Sequence, residues 1–195
     1  MALRYVALGD SYTIGTAIDV DGRWPSQLAA RVPAIELVAN LGVNGFTSRD
    51  VIERELPQLE RVRPEFLSLL IGVNDVVQGV PEARFRSNVA VILDDIVRRV
   101  GVNRCFVVTT PDYTVTPSGA AFGEPAQQSA GIRANNSVIT EEAHARGIVV
   151  ADIFDLSLRA ATDRTLVADD GLHPSAAQYS TWVDEIEPVV KRTLG

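Results

Sequence analysis

The sequence predicts an α/β protein, a three-layer α/β/α sandwich built around a five-stranded parallel sheet. Five short apolar runs recur at wide spacing along the 195 residues, and segments with helical periodicity separate them. The runs lack strict alternation, which is typical of strands buried on both faces. Strands that alternate with helices pair in parallel through right-handed crossovers, so helices are expected on both faces of the sheet. We expect one domain spanning residues 1–195, because this length suits a single core.

The apolar runs and the periodic segments give the expected elements in order. Strands are predicted over residues 5–8, 35–41, 66–71, 105–109 and 148–153. Helices are predicted over residues 24–32, 48–56, 81–100, 127–145 and 174–194. In the segment 81–100 the apolar side chains recur at spacings of three and four, which places them on one helix face. Pro174 is predicted as the first residue of the last helix, a position that proline favours.

Charge and composition exclude some partners. The formal net charge is -7, and the acidic residues are scattered along the chain, as on solvated helix faces. A nucleic-acid partner would require clustered Lys and Arg, so we expect none. The N-terminus lacks the pattern of a signal peptide, and no apolar run approaches the roughly 20 residues that span a bilayer. We therefore expect a cytoplasmic protein with no stable membrane insertion, and the sequence leaves the oligomeric state open.

Polar, glycine-containing turns follow the first three predicted strands. They comprise Gly9-Asp10-Ser11, residues 40–45 and residues 72–75. Functional groups of such sheets collect beyond the carboxyl ends of the strands, so these turns are expected to meet at one edge. Ser11 is placed there as a candidate nucleophile. The alternative is that Ser11 caps the following helix, since serine is a common N-cap.

Only two histidines are available as a general base. His144 lies at a polar helix end, where a solvated role is expected. His173 follows the acids Asp169 and Asp170 and directly precedes the last predicted helix. A carboxylate held on one ring nitrogen would fix the tautomer and leave the other nitrogen free to act as a base. The alternative is a histidine at a helix entry beside an acidic loop.

The two middle turns contain candidate donors for an oxyanion hole. Gly45 can present its backbone N–H at close range, and Asn74 can present a side-chain amide. Both residues are also common in ordinary turns. Apolar residues beside these turns are candidates for an acyl pocket or for the core: Val43, Phe46, Val76, Val77 and Leu172.

The segment 110–125, rich in proline and glycine, is unusually long for a connection in a compact domain. It is interpreted either as a flap that faces the substrate or as a surface loop. Its carboxylate, Asp112, either faces a pocket or forms a turn.

The four polar segments resemble, in order and spacing, the four blocks of the GDSL family of the SGNH hydrolase superfamily. The matching segments are Gly9-Asp10-Ser11, Gly45, Gly72-Val73-Asn74-Asp75 and Asp170-Gly171-Leu172-His173, which together span nearly the whole chain. One departure is Tyr12, which stands where many members have Leu or Ile.

The resemblance implies a flavodoxin-like fold and assigns roles to the residues that match the blocks. Ser11 would be the nucleophile, His173 the base and Asp170, in preference to Asp169, the acid that orients it. The oxyanion hole would consist of the Ser11 N–H, the Gly45 N–H and the Asn74 amide. Asp75, without a role in proton transfer, is expected to brace the Asn74 turn. No metal ion and no organic cofactor are implied.

Three functional hypotheses follow. The first is a serine hydrolase that cleaves small to medium acyl esters or thioesters through an acyl-enzyme, with a small-molecule substrate as its partner. The second is a flavodoxin-like module that binds a phosphate or nucleotide at residues 11–15, although this loop lacks the glycine spacing and lysine of a nucleoside-triphosphate site. The third is a catalytically silent hydrolase fold used for protein association. Sugar acetates, lysophospholipids, aryl esters and thioesters are all compatible with the first hypothesis.

Overall fold

A computed structural model describes all 195 residues and confirms the predicted α/β architecture. Five parallel strands form one sheet in the order β2-β1-β3-β4-β5. The strands are β1 (Leu3–Gly9), β2 (Ile35–Asn40), β3 (Phe66–Leu70), β4 (Cys105–Val108) and β5 (Val149–Ala151). This is the flavodoxin-like strand order, in which the direction of winding reverses between β1 and β3. Ligands bind beyond the carboxyl ends of the strands at that point.

Nine α-helical segments connect and cover the strands. They are α1 (Ser11–Ile14), α2 (Trp24–Arg31), α3 (Ser48–Asp50), α4 (Leu59–Val62), α5 (Val73–Val77), α6 (Glu82–Val100), α7 (Pro125–Ala145), α8 (Phe154–Ser157) and α9 (Ala176–Leu194). None of these helices combines the length and the apolar character needed to cross a membrane.

The alternation of side chains along β1 divides the core into two layers. Tyr5 and Ala7 belong to one cluster of buried residues, whereas Val6 and Leu8 belong to the other. Successive side chains of a strand point to opposite faces, so a strand buried on both sides must be apolar throughout. The first cluster includes residues of α2 and α9, and the second includes residues of α6 and α7. The helices therefore cover both faces of the sheet.

The predicted helix 48–56 is a chain of short segments. Helix α3 is followed by a π-helical turn (Val51–Glu55), a 3-10 turn (Leu56–Gln58) and α4. Pro57 lies within the 3-10 turn, and because proline has no N–H, it cannot continue a regular α-helical ladder.

The expected start of the last helix at Pro174 is wrong. Helix α9 begins at Ala176, because the hydroxyl of Ser175 accepts a hydrogen bond from the Gln178 N–H at 3.3 Å and caps the helix. Pro174 instead forms an isolated antiparallel bridge with Val167. His173 therefore lies outside the helix, two residues before the cap.

Candidate active site

A cleft of about 210 Å³ lies beyond the carboxyl ends of β1 and β3. The lining residues come from distant parts of the chain: Ser11, Tyr12, Asn44, Gly45, Val73, Asn74, Val77, Tyr113, Phe122, Leu172 and His173. Ser11, Gly45, Asn74 and His173, all expected in the site, thus border one cavity.

The Ser11 turn is organised by its neighbour Asp10. The carboxylate oxygen Oδ1 of Asp10 accepts a hydrogen bond from the Tyr12 N–H at 2.9 Å, which makes Asp10 the N-cap of α1. Ser11 is the first residue inside the helix, so the alternative of Ser11 as the cap does not apply. At Gly9 a Cβ would lie 2.2 Å from the Leu70 carbonyl oxygen, so only glycine fits where β1 meets the turn.

Asp170 and His173 form a close pair, and His173 lines the same cleft as Ser11. The His173 Nδ1 and Asp170 Oδ2 atoms are 2.6 Å apart, and Asp170 Oδ1 accepts the backbone N–H groups of Leu172 and His173 at 2.9 Å each. Partial burial acts against the charge of Asp170, but these hydrogen bonds outweigh it and hold the pKa of this carboxyl below its usual value. Of the two acids, only Asp170 is hydrogen-bonded to the imidazole.

The ring of Tyr12 packs against the imidazole. The ring centroids of Tyr12 and His173 are 5.3 Å apart, with an interplanar angle of 52°. The residue at which the sequence departs from the common block is thus in contact with the candidate base. No hydrogen bond joins the Ser11 hydroxyl to His173; such contacts are often long without substrate and shorten in the complex.

Two of the three candidate oxyanion donors, the N–H groups of Ser11 and Gly45, have no backbone hydrogen-bond partner. Gly45 has a φ of 81°, and no atom lies within 4 Å of the position a Cβ would occupy. The Asn74 amide donates one hydrogen to the Phe46 carbonyl at 2.9 Å, which fixes its orientation and leaves its second hydrogen available.

Asp75 joins the two loops that contain these donors. Its carboxylate accepts the Ser48 N–H at 2.9 Å and the Ser48 hydroxyl at 2.6 Å. Asn88 in α6 donates in turn to the Ser48 oxygen at 2.9 Å. Burial raises the pKa of Asp75, although the bonds from Ser48 oppose the shift. Asp75 therefore braces the Asn74 turn, as expected from the sequence.

The segment 110–125 faces the cleft. Tyr113 and Phe122 line it, with their rings edge to face and the centroids 5.7 Å apart. The Tyr113 hydroxyl donates to Gln128 Oε1 in α7 at 2.7 Å. Asp112 is buried and caps the turn 113–115 through the Thr114 N–H, so its turn-forming interpretation applies.

Ser118 connects this segment to the loop that contains Asp170 and Gly171, which we call the acid loop. Its N–H donates to the Gly171 carbonyl at 2.9 Å, and its hydroxyl donates to the Asp170 carbonyl at 3.3 Å. The aromatic side of the cleft and the Asp170–His173 pair are thus tied together.

Of the predicted pocket residues, Leu172 and Val77 line the cleft and three do not. Val43 is exposed to solvent. The Phe46 ring packs under the guanidinium of Arg54, 5.4 Å from its centroid. Val76 packs against α7 where Gly131 lacks a side chain. These three residues lie in or next to the turns that border the cleft, but their side chains are not part of its lining.

Sequence reasoning missed Asn44, and it did not single out Tyr113 and Phe122 within their segment. The Asn44 Oδ1 atom accepts a hydrogen bond from the Thr16 hydroxyl at 2.5 Å. Tyr113 and Phe122 could have been found from the sequence, because they are the two aromatic residues in a segment of mainly small and polar residues. No group of three or more His, Cys, Asp or Glu side chains is arranged to hold a metal ion.

The fold and the cleft together define a hydrolase with a three-layer α/β/α architecture. The chain belongs to the GDSL-like lipase/acylhydrolase family, whose model matches residues 7–180. No curated protein sequence matches the chain.

Solved structures with the same fold cover almost the whole chain. A member of the lipolytic G-D-S-L family from Veillonella parvula has a TM-score of 0.79 at 16% identity and covers 98% of this chain and 100% of its own. The lipase/acylhydrolase from Enterococcus faecalis has a TM-score of 0.74 at 21% identity, with coverage of 100% and 98%. The psychrotrophic esterase EstA from Pseudoalteromonas has a TM-score of 0.73 at 18% identity, with coverage of 98% of both chains.

Proposed function

We propose that the protein is a carboxylic ester hydrolase that acts on small to medium acyl esters or thioesters through an acyl-enzyme. The observation that carries this proposal is the 2.6 Å contact between Asp170 and His173 at the cleft that Ser11 also lines. A carboxylate on Nδ1 keeps the proton there and leaves Nε2 free to accept one.

The mechanism assigns one step to each group. The Ser11 hydroxyl oxygen attacks the acyl carbonyl carbon while its proton passes to His173 Nε2, and Asp170 stabilises the imidazolium that forms. The N–H groups of Ser11 and Gly45 and the free amide hydrogen of Asn74 bind the developing oxyanion. His173 then returns the proton to the leaving alkoxide or thiolate. A water molecule, deprotonated by His173, then attacks the acyl-enzyme; the bond between the acyl carbon and the Ser11 oxygen breaks, His173 returns the proton to that oxygen, and the acid is released.

The cleft dimensions support a small to medium acyl group. Its volume is about 210 Å³, and the lining between the oxyanion donors and the segment 110–125 is mainly apolar. Val73, Val77 and Leu172 provide aliphatic contacts, and Tyr113 and Phe122 provide aromatic ones. An apolar wall contributes binding in proportion to the acyl surface that it covers.

The decisive experiment is Ser11→Ala assayed with p-nitrophenyl esters. Removal of the nucleophile is expected to lower kcat by several orders of magnitude without unfolding the protein. Ser137→Ala, on the exposed side of α7, is the matched control and should retain wild-type turnover. Undiminished activity of Ser11→Ala would contradict the proposal. A folded wild-type protein that hydrolyses no ester would instead favour the non-catalytic hypothesis of protein association.

A second assay defines the substrate class. We expect kcat/KM to be highest for acetate to hexanoate esters in a chain-length series run beside a panel of acetylated sugars and acyl thioesters. A preference for long acyl chains would contradict the assignment of a small pocket.

A further inference from the structure

Two buried carboxyl groups lie behind the Ser11 turn, and the mechanism above uses neither. Glu55 and Asp10 are both 0% exposed. The hydrogen-bond donors to the two groups are backbone N–H groups, and no Lys, Arg or His side chain pairs with either carboxyl. An isolated buried carboxylate is costly, so their presence at this position calls for a physical role.

Glu55 holds the end of strand β1. Its Oε2 atom accepts the Gly9 N–H at 2.9 Å, while the Gly9 carbonyl accepts the Val43 N–H at 3.3 Å. The Gly9 N–H would ordinarily donate to a backbone carbonyl of a neighbouring strand. Here the Glu55 carboxyl is its acceptor instead. Because Gly9 immediately precedes Asp10 and Ser11, this bond helps to fix the backbone from which the Ser11 hydroxyl projects.

One oxygen of each carboxyl group lacks a donor. Glu55 Oε1 and Asp10 Oδ2 are buried and have no hydrogen-bond partner, whereas the other oxygen of each accepts a backbone N–H. An ionised carboxylate would leave this oxygen charged and unsolvated. A bound proton removes that charge and leaves the contact with Gly9 intact.

The surroundings of Glu55 reinforce the neutral form. The charged groups that act on Glu55 are acidic: Asp10, which follows β1, and Asp50 in α3. Helix α6 contributes apolar side chains to the cluster behind the π-helical turn: Phe85, Val89 and Ile92. Burial, with smaller contributions from Asp10 and Asp50, raises the pKa of Glu55 to about 9 despite the bond from Gly9. Burial also raises the pKa of Asp10 to about 7, and Asp75 adds to this shift.

We propose that Glu55 is a positioning residue that works in its protonated form and holds the Gly9–Ser11 turn through the Gly9 N–H. Ionisation would place a negative charge beside Asp10 and weaken the support of the turn. The kinetic part of this inference rests on the proposed function, whereas its stability part does not.

The first test is Glu55→Gln, which keeps an oxygen acceptor for Gly9 and cannot ionise. At mildly acidic pH its kcat and KM should lie within about twofold of the wild-type values, because the amide mimics the protonated acid. The wild-type kcat should fall as the pH rises through about 9, and the kcat of Glu55→Gln should not. Glu53→Gln, an exposed change on the same turn, should follow the wild-type profile.

The melting temperature gives a readout without activity. A carboxyl whose pKa is raised in the folded state loses its stabilising effect as the pH rises from its unfolded pKa towards the folded one. The Tm of Glu55→Gln minus that of the wild type should therefore grow between about pH 5 and pH 9. The corresponding difference for Glu53→Gln should stay constant.

The second variant, Glu55→Met, removes the acceptor but keeps the volume. It should lower kcat about tenfold with little change in KM, because the buried Gly9 N–H loses its partner. Identical pH profiles and Tm differences for wild type and Glu55→Gln, or a wild-type kcat for Glu55→Met, would overturn the inference. If Glu55→Met does not fold, the Glu55→Gln comparison decides. Activity that survives in Ser11→Ala would refute the proposed function but leave the Tm test of Glu55 valid.

Discussion

Asp170 and Asp169 differ in their contacts although they are adjacent and chemically identical. Only Asp170 bonds to the imidazole and to two backbone N–H groups, whereas Asp169 points to solvent. Two acids precede His173 in the sequence, and only the spacing of the family block predicts that Asp170 is the partner of His173. The deciding factor is the turn at Gly171, whose φ of 74° folds Asp170 back onto the ring.

Asp170→Asn should therefore lower kcat by about three to four orders of magnitude, because an amide cannot hold the productive tautomer of His173. The matched control is Asp169→Asn, which should change kcat less than about twofold. Both variants are measured by steady-state kinetics with the same p-nitrophenyl ester. Equal losses in the two variants would show that the general acidity of the loop, not the contact with His173, matters.

Ala17 is a residue under backbone strain beside the cleft. Its φ of 63° lies in the left-handed region, which costs an L-residue about 1–2 kcal/mol. Ala17→Gly should raise the free energy of unfolding by about 0.5–1 kcal/mol, after the greater entropy of glycine in the unfolded chain is subtracted.

Chemical denaturation measures the effect of this change. The control is Ala30→Gly on the exposed side of α2, where the same replacement should destabilise by about 1 kcal/mol. A destabilised Ala17→Gly variant would contradict the strain at this position.

The segment 110–125 acts as one wall of the cleft. Tyr113 is fixed by its bond to Gln128, and Phe122 packs on its edge while remaining 41% exposed. This arrangement places Phe122 at the outer limit of the apolar surface, where the end of an acyl chain would meet it.

Phe122→Ala should shift the preference towards longer acyl chains. Each methylene that gains apolar contact contributes about 0.8 kcal/mol, so the two further methylenes of octanoate should raise the octanoate to hexanoate ratio of kcat/KM about fifteenfold. The chain-length series with p-nitrophenyl esters measures this ratio. Phe46→Ala is the control, since the Phe46 ring lies outside the cleft, and its ratio should stay at the wild-type value.

Sequence patterns predicted β1, β3 and β4 well because burial on both faces leaves a continuous apolar run. The edge strands β2 and β5 are less buried, but they also follow apolar runs. Four of the five helices predicted from the sequence lie within about two residues of the observed ones. The segment 48–62 was less predictable, since its π-helical turn positions Glu55 against Gly9, 46 residues away. The same limit applies to the site: short motifs identified Ser11 and His173, but the cleft contacts of Tyr113 and Phe122 depend on tertiary packing.

The distribution of perturbed acids predicts how the whole molecule responds to pH. The pKa values of Asp10 and Glu55 are raised by burial to about 7 and about 9, so their stabilising effect is lost as the pH rises through these values. The pKa of Asp50 is lowered because hydrogen bonds from Thr47 outweigh burial, and that of Asp170 is also lowered; their effect is lost as the pH falls below about 4.

Thermal stability should therefore be greatest in the mildly acidic range and decline towards pH 9. Differential scanning calorimetry across this range checks the expectation. The control is the same series at high salt, which screens repulsion among the surface acids but not the burial of Asp10 and Glu55. A decline abolished by salt would assign it to the net charge of -7 instead.

The link from Ser118 to the acid loop has an evolutionary consequence. Because Ser118 bonds to both Asp170 and Gly171, replacements that reshape the aromatic wall also disturb the loop that orients the base. Mutations in the segment 110–125 and in the loop 170–173 are then expected to be epistatic: the effect of a double mutation on kcat should differ from the sum of the two single effects.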